Sequence, residues 1–122
     1  MTNKAHYAVI AGELAPGARV SDEQFSKIPD LIRASFQAVN RLVPEESKLN
    51  YEIIRMDEFL GLSASPLQSI RSVIMLFSAF RFLSYKELET RLELRICEGI
   101  GPVEYAQDLS LIHISEPTRP KM

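Results

Sequence analysis

The sequence has few of the features that mark secreted, membrane-spanning or disulfide-rich proteins. Its 122 residues include a single cysteine, Cys97, which excludes an internal disulfide framework and fits a reducing compartment. The N-terminal stretch MTNKAHYAVIAGEL is not a signal peptide, because its apolar part is short and ends at a glutamate. The longest apolar run, VIMLFSAFRFL, contains an arginine and is too short to cross a bilayer. We therefore expect a cytoplasmic protein without a membrane partner.

An excess of basic residues is also missing. The formal net charge is −2, so this segment is not expected to bind nucleic acid as its main task. Hydrophobic residues make up 46% of the chain and charged residues 25%, which is ordinary for a globular protein. The length then predicts one domain with a modest two-layer core.

The first half of the chain predicts a strand followed by a helix. HYAVIAGE (residues 6–13) is a nearly continuous apolar run, typical of a buried central strand. Ser21 and Gln24 have the spacing of a capping box at a helix start, and apolar residues then recur at helical spacing as far as Val43. Pro29 leaves two alternatives, a kinked helix or a short turn before a helix that begins near Pro29.

The second half predicts a hairpin, a helix and a last strand. NYEIIRM and FLGLS are two strand-like segments, with Asp57 and Glu58 as a two-residue turn between them. SPLQ predicts a helix start, with Ser65 as N-cap, Pro66 in the first turn and Gln68 closing a capping box. The following helix is apolar on most of its circumference, which is typical of a helix that packs on a sheet and also meets a partner. RLELRICEGIG alternates like a strand.

This order of elements predicts an α+β, ferredoxin-like βαββαβ fold, with one antiparallel sheet and two helices on one face. A right-handed crossover places the third strand between the first and the second. The end of the first strand then lies beside the start of the third, so Glu13 is expected close to Asp57 and Glu58. Three converging carboxylates predict a Mg²⁺ site. The alternative is an acidic, solvated hairpin, which is common turn chemistry. Cys97 is expected to be a small buried residue rather than a nucleophile.

Three motifs in this sequence resemble the SatD family. They are YAVIAGEL near the N-terminus, RMDEFLGLSASP in the middle and LELRICEGIG later in the chain. The resemblance implies a palm domain like that of nucleotide cyclases, with metal-binding acids at Glu13, Asp57 and Glu58. It also implies ligand-binding arginines at Arg19 and Arg95.

The sequence departs from the SatD pattern at four positions. Glu13 stands where aspartate is usual, Met56 where glycine is usual, Ala18 where serine is usual and Glu98 where an apolar residue is usual. Because Mg²⁺ demands near-ideal ligand geometry, these departures favour a degenerate palm. The first hypothesis is therefore a non-catalytic regulatory or dimerisation module. The alternative is a Mg²⁺-dependent, nucleotide-binding palm with phosphoryl or nucleotidyl transfer activity. A nucleotide and a second copy of the chain are the candidate partners.

The stretch LSLIHISEPTR, from Leu109 to Arg119, fits none of these periodic patterns. It resembles the in-frame translation of the mosaic-end adapter that a transposase attaches to fragmented DNA. We therefore expect a palm domain over residues 1–108 and a non-native segment over residues 109–122. The palm is then the front half of a longer bacterial chain, whose missing part is the candidate for any contact with nucleic acid.

Overall fold

A computed structural model of the chain describes residues 6–102. Four strands and two long helices follow one another in the order expected for a ferredoxin-like fold, with one additional short helix before the first long helix. Their bounds are β1 His6–Leu14, α1 Asp22–Ser26, α2 Ile28–Leu42, β2 Leu49–Ile53, β3 Glu58–Ser63, α3 Pro66–Leu88 and β4 Leu94–Pro102. A single 3₁₀ turn, Glu45–Ser47, joins α2 to β2.

The four strands form one antiparallel sheet in the order β2-β3-β1-β4. The third strand lies between the first and the second, as predicted, and β4 pairs along the other side of β1. The predicted α+β, ferredoxin-like fold is confirmed. Because β1 pairs on both sides, its end is flanked by the start of β3 and the start of β4.

The two faces of the sheet differ in what covers them. Ile10 and Leu14 of β1 are buried in the core with residues of α2 and α3, while Ala11 and Glu13 alternate with them on the opposite side. We call this opposite side the open face. The largest fully buried side chains of the core include Phe36, Phe59, Phe80, Ile10, Ile28 and Ile32.

The start of the helical layer agrees with the capping signal in the sequence. The Ser21 hydroxyl accepts a hydrogen bond from the Gln24 backbone N–H (3.0 Å), and the Gln24 side chain accepts one from the Ser21 N–H (2.9 Å). A short α1 ends at Ser26, Lys27 follows as its C-cap, and α2 begins at Ile28 with Pro29 in its first turn. Of the two alternatives for Pro29, the structure agrees with a helix that begins near Pro29, although the segment before it is a short helix rather than a turn.

The predicted two-residue hairpin turn is wrong. Strand β2 ends at Ile53 and β3 already begins at Glu58, so residues 54–57 form a four-residue loop. The Ile54 N–H donates to the Glu58 carbonyl at 2.8 Å, and this bond closes the loop. A two-residue turn would require residues that tolerate positive φ, and none of these four residues has positive φ.

The start of α3 is confirmed at Pro66, but the capping box predicted there is wrong. The Ser65 side chain makes no capping hydrogen bond. Its backbone N–H is already bound by the Ser63 hydroxyl, at 3.2 Å, so a different serine organises this turn. The helix ends at Leu88, where Glu89 adopts the left-handed conformation with φ of 56°.

Candidate functional site

Three charged residues form one row across the open face. In the sheet register, Glu13 of β1 is paired with Glu58 of β3 on one side and with Arg95 of β4 on the other. Residues directly opposite each other on neighbouring strands project from the same face of a sheet. The fold therefore brings two of the three predicted acids and one of the two predicted arginines together.

Glu13 and Arg95 form an ion pair within this row. Arg95 Nη2 donates a hydrogen bond to Glu13 Oε2 at 2.5 Å. The Glu13 side chain is 36% exposed and that of Arg95 is 59% exposed, so water screens the pair in part. The Glu13 carboxylate consequently has a protein cation as its direct neighbour.

The other acids of the predicted site are arranged differently. Arg55 in the hairpin loop places its Nε 4.0 Å from Glu58 Oε1, so Glu58 also has an arginine of its own. Asp57 ends the loop one residue before β3. It does not line the groove that Glu13 and Glu58 share.

The arrangement of the acids does not fit a bound Mg²⁺ ion. Among residues 6–102, no three histidine, cysteine, aspartate or glutamate side chains lie close enough together to hold a metal. Mg²⁺ prefers near-octahedral oxygen ligands, whereas Glu13 Oε2 already accepts a hydrogen bond from Arg95. Metal binding by Glu13, Asp57 and Glu58 stays a prediction.

A wide groove of about 710 Å³ surrounds the charged row. Its residues come from β1, β3, β4 and the hairpin loop. They are Ala11, Gly12, Glu13, Ile54, Glu58, Phe59, Leu60, Arg95 and Cys97. The groove combines apolar walls with a few charged groups at one end, which is the usual make-up of a small-molecule site.

Cys97 was expected to be buried and is exposed instead. It lies two residues after Arg95 on β4, so both project from the same face of the strand. In the alternating segment RLELRICEGIG, Arg95 and Cys97 fall on one side of a strand. What the alternation could not show is that this side is the open face, because that depends on where the helices pack.

Gly12 fixes the backbone next to the charged row. A Cβ atom at this position would lie 2.2 Å from Cζ of Phe59, which is the residue opposite it on β3. Phe59 in turn packs edge-on against Phe36 of α2, with ring centroids 5.2 Å apart. The aromatic ring thus lies directly on the β1 backbone, and only glycine leaves room for it.

Arg19, the second predicted arginine, lies apart from the groove. It is exposed on the loop between β1 and α1 and does not line the cavity. Arg55, which sequence reasoning did not single out, contacts the row instead. The hairpin geometry decides this difference, because the four-residue loop carries Arg55 back toward Glu58.

Comparison with known proteins identifies the fold. No protein-family model matches the sequence, and no curated protein matches it significantly. Solved guanylyl cyclase domains do match the structure. The guanylyl cyclase Cya2 has a TM-score of 0.60 at 13% identity, over 83% of this chain and 56% of its own. The monomeric cyclase domain of the RhoGC fusion protein from the aquatic fungus Blastocladiella emersonii has a TM-score of 0.61 at 12% identity, over 94% and 70%.

A third similar structure is the guanylate cyclase domain of RhGC from Catenaria anguillulae, solved in complex with GTP. It has a TM-score of 0.60 at 12% identity, over 83% of this chain and 59% of its own. This chain therefore has the palm fold of nucleotide cyclase domains, and it spans somewhat more than half of the first matching structures. At such identities the likeness shows the fold alone.

Within residues 6–102, no helix combines the length and hydropathy needed to cross a membrane. The segment 109–122, for which an adapter origin was predicted, lies outside the described residues, as does the end of the predicted 1–108 domain.

Proposed function

We propose that this chain is a non-catalytic regulatory module of a SatD-like protein, built on a cyclase-like palm. The module acts by contact with other protein surfaces, a second copy of itself included. One observation carries the proposal: Arg95 is hydrogen-bonded to the carboxylate that a metal-dependent palm would need free.

The electrostatics of the row support this reading. A divalent ion between carboxylates offsets their mutual repulsion. Here Arg95 and Arg55 each lie beside one of the two acids that face each other, Glu13 and Glu58. The row is therefore close to neutral without an added ion, and the repulsion that would attract a cation is already reduced.

Thermal unfolding in the presence of nucleotides tests the proposal. The full chain is melted with ATP or GTP, each with and without Mg²⁺, beside salt-matched controls. A ligand that binds the native state raises Tm, so a non-catalytic module predicts the same Tm in all samples. A Mg²⁺-dependent rise that disappears in Asp57→Ala contradicts the proposal.

The groove favours a second candidate function, the binding of a nucleotide. Its volume of about 710 Å³ lies within the range of ligand pockets in proteins, and Arg95 at its edge suits a phosphate. For this function, Arg95 releases its hydrogen bond to Glu13 and binds the phosphate of the ligand instead. A Tm rise with nucleotide that is independent of Mg²⁺ and lost in Arg95→Gln supports it over the first.

Membership of the SatD family and a longer native chain belong to the same proposal. They rest on the three quoted motifs and on the adapter-like stretch from Leu109 to Arg119. A cytoplasmic location is proposed with them, on the single cysteine and the N-terminal stretch that does not resemble a signal peptide. The uninterrupted gene, sequenced from its native genome, tests the family and the length of the chain. An independent read that retains the codons for residues 109–122 contradicts the adapter origin.

A further inference from the structure

Helix α3 carries apolar side chains on the side that faces away from the sheet. Its buried positions include Ser72, Leu76 and Phe80, so the outward side lies about half a turn away from them. Five large apolar residues on that outward side are exposed, and Leu67 is 94% exposed. They are Leu67, Ile70, Ile74, Phe82 and Tyr85. We call these five residues, together with Arg71, Ser78 and Arg81, the α3 outer face.

The charges on the α3 outer face all have one sign. Arg71 and Arg81 are its ionised residues, both exposed, and Lys86 follows at the end of the helix. The first acid of α3 is Glu87, near its C-terminus. The chain as a whole carries a net charge of −2, so this basic and apolar surface stands out from the average composition of the protein.

The surface is concave at its C-terminal end. A groove of about 310 Å³ lies between Phe77, Phe82 and Tyr85, with Arg81 and Arg91 at its edges. The Arg91 guanidinium lies 5.5 Å from the centre of the Tyr85 ring, so the groove combines aromatic walls with cations. One acid is close by, because Glu93 lies 3.8 Å from Arg81. The groove keeps a net positive charge.

We propose that the α3 outer face is a docking site for an amphipathic helix of a partner protein, apolar along one side and acidic along its flanks. Leu67, Ile70 and Ile74, and then Phe82 and Tyr85, follow the three- and four-residue spacing through which helices recognise each other, with Ser78 at the position between the two groups. Arginines outnumber acids on and beside this face even with Glu93 near Arg81, and this excess of positive charge favours carboxylates on the partner. The groove beside Phe82 accommodates one large apolar side chain of the partner. This inference rests on the proposed function, because it names the protein surface through which the module acts.

The same charges argue against two other occupants. A second copy would bring Arg71 and Arg81 of both chains into one interface that contains no acid of the outer face, and like charges in an interface are unfavourable. An anionic membrane would match the charge. A flat lipid surface, however, does not fill a groove with aromatic walls, whereas a large side chain that protrudes from a helix does.

Peptide binding to the full chain tests the inference. The probe is a fluorescein-labelled synthetic helix with leucines along one side and glutamates on both flanks; the comparison peptide has lysine at every glutamate position. We expect the acidic peptide to bind about tenfold or more tightly than the lysine peptide at low salt. Ile74→Glu and Arg81→Glu should each weaken binding of the acidic peptide by about tenfold or more. Leu42→Glu, at an exposed apolar residue of α2, should leave it unchanged.

Each alternative outcome contradicts the inference in its own way. Equal binding of both peptides, or no effect of Ile74→Glu and Arg81→Glu, excludes an acidic helix. A dimer in sedimentation equilibrium that Ile74→Glu dissociates assigns the face to a second copy. Binding to phosphatidylserine vesicles that Ile74→Glu abolishes, without peptide binding, assigns it to a membrane. The proposed function is tested separately, because none of these outcomes depends on nucleotide or Mg²⁺.

Discussion

Arg95 Nη2 donates a hydrogen bond to Glu13 Oε2 across two paired strands, at the register position where Glu58 faces Glu13 from the other side. Two acids that lie opposite each other on neighbouring strands repel. Arg95 offsets that repulsion at one end of the row, and Arg55 does so at the other. The two arginines therefore offset the repulsion between the acids at the end of β1 and the start of β3.

Loss of the arginine should expose this repulsion. Arg95→Gln is expected to lower the free energy of unfolding by about 1 kcal/mol, and Glu58→Gln in the same chain should recover part of that loss. Arg33→Gln is the matched control, because Arg33 pairs with Asp30 on the exposed side of one helix. Arg33→Gln should lower the free energy of unfolding by less than Arg95→Gln does. Urea unfolding of the two single variants and of the Arg95→Gln, Glu58→Gln double variant measures these differences. A recovery of zero on adding Glu58→Gln contradicts the account of the row.

Packing at the end of β1 gives a second prediction. Gly12→Ala should destabilise the fold by about 1–3 kcal/mol, because the new Cβ collides with the Phe59 ring in the core. Gly61→Ala is the control, since the nearest atom to its Cβ is 3.4 Å away, in Phe36. Thermal or urea unfolding compares the two. If both variants lose the same free energy of unfolding, close packing of the Phe59 ring on Gly12 is not what excludes a side chain there.

Two serines at predicted helix starts differ in whether their side chains cap the helix. Ser21→Ala should cost about 1 kcal/mol, because the Ser21 hydroxyl accepts the Gln24 N–H. Ser65→Ala should change stability by much less, since that side chain makes no capping bond. The free energy of unfolding of both variants checks the prediction. A larger loss in Ser65→Ala than in Ser21→Ala contradicts it.

The single cysteine reports on the groove. Cys97 is exposed and lines the cavity beside Arg95, so a thiol reagent should modify the native chain at one site without denaturant. A ligand that occupies the groove should slow the reaction. If modification requires unfolding, the open face is covered and the position assigned to the groove is wrong.

The sequence predicted the fold well because its signals are local. Alternating apolar residues, helical spacing and Pro66 at a helix start identify the elements, and one handedness rule then gives the order of the strands. From that order alone, Glu13 was expected beside Glu58, and the register agrees.

The site was less predictable because it depends on side chains brought together from separate elements. The length of the hairpin loop determines that Arg55, and not Asp57, contacts the row. Arg95 was implied as a ligand-binding residue, but its bond to Glu13 follows from strand pairing across 82 residues of separation. For α3, the apolar circumference predicted a surface beyond the one that packs on the sheet. It did not predict which residues stay exposed, because an apolar helix has the same sequence pattern whether one or both of its sides are covered.

Calorimetric titration of Mg²⁺ into the full chain tests the central claim most directly, that Arg95 and not a metal is the counter-ion of Glu13. The account predicts no saturable binding heat beyond that of a salt-matched control, and the same trace for Glu13→Gln and the native sequence. Saturable Mg²⁺ binding by the native chain that is lost in both Glu13→Gln and Asp57→Ala would contradict it.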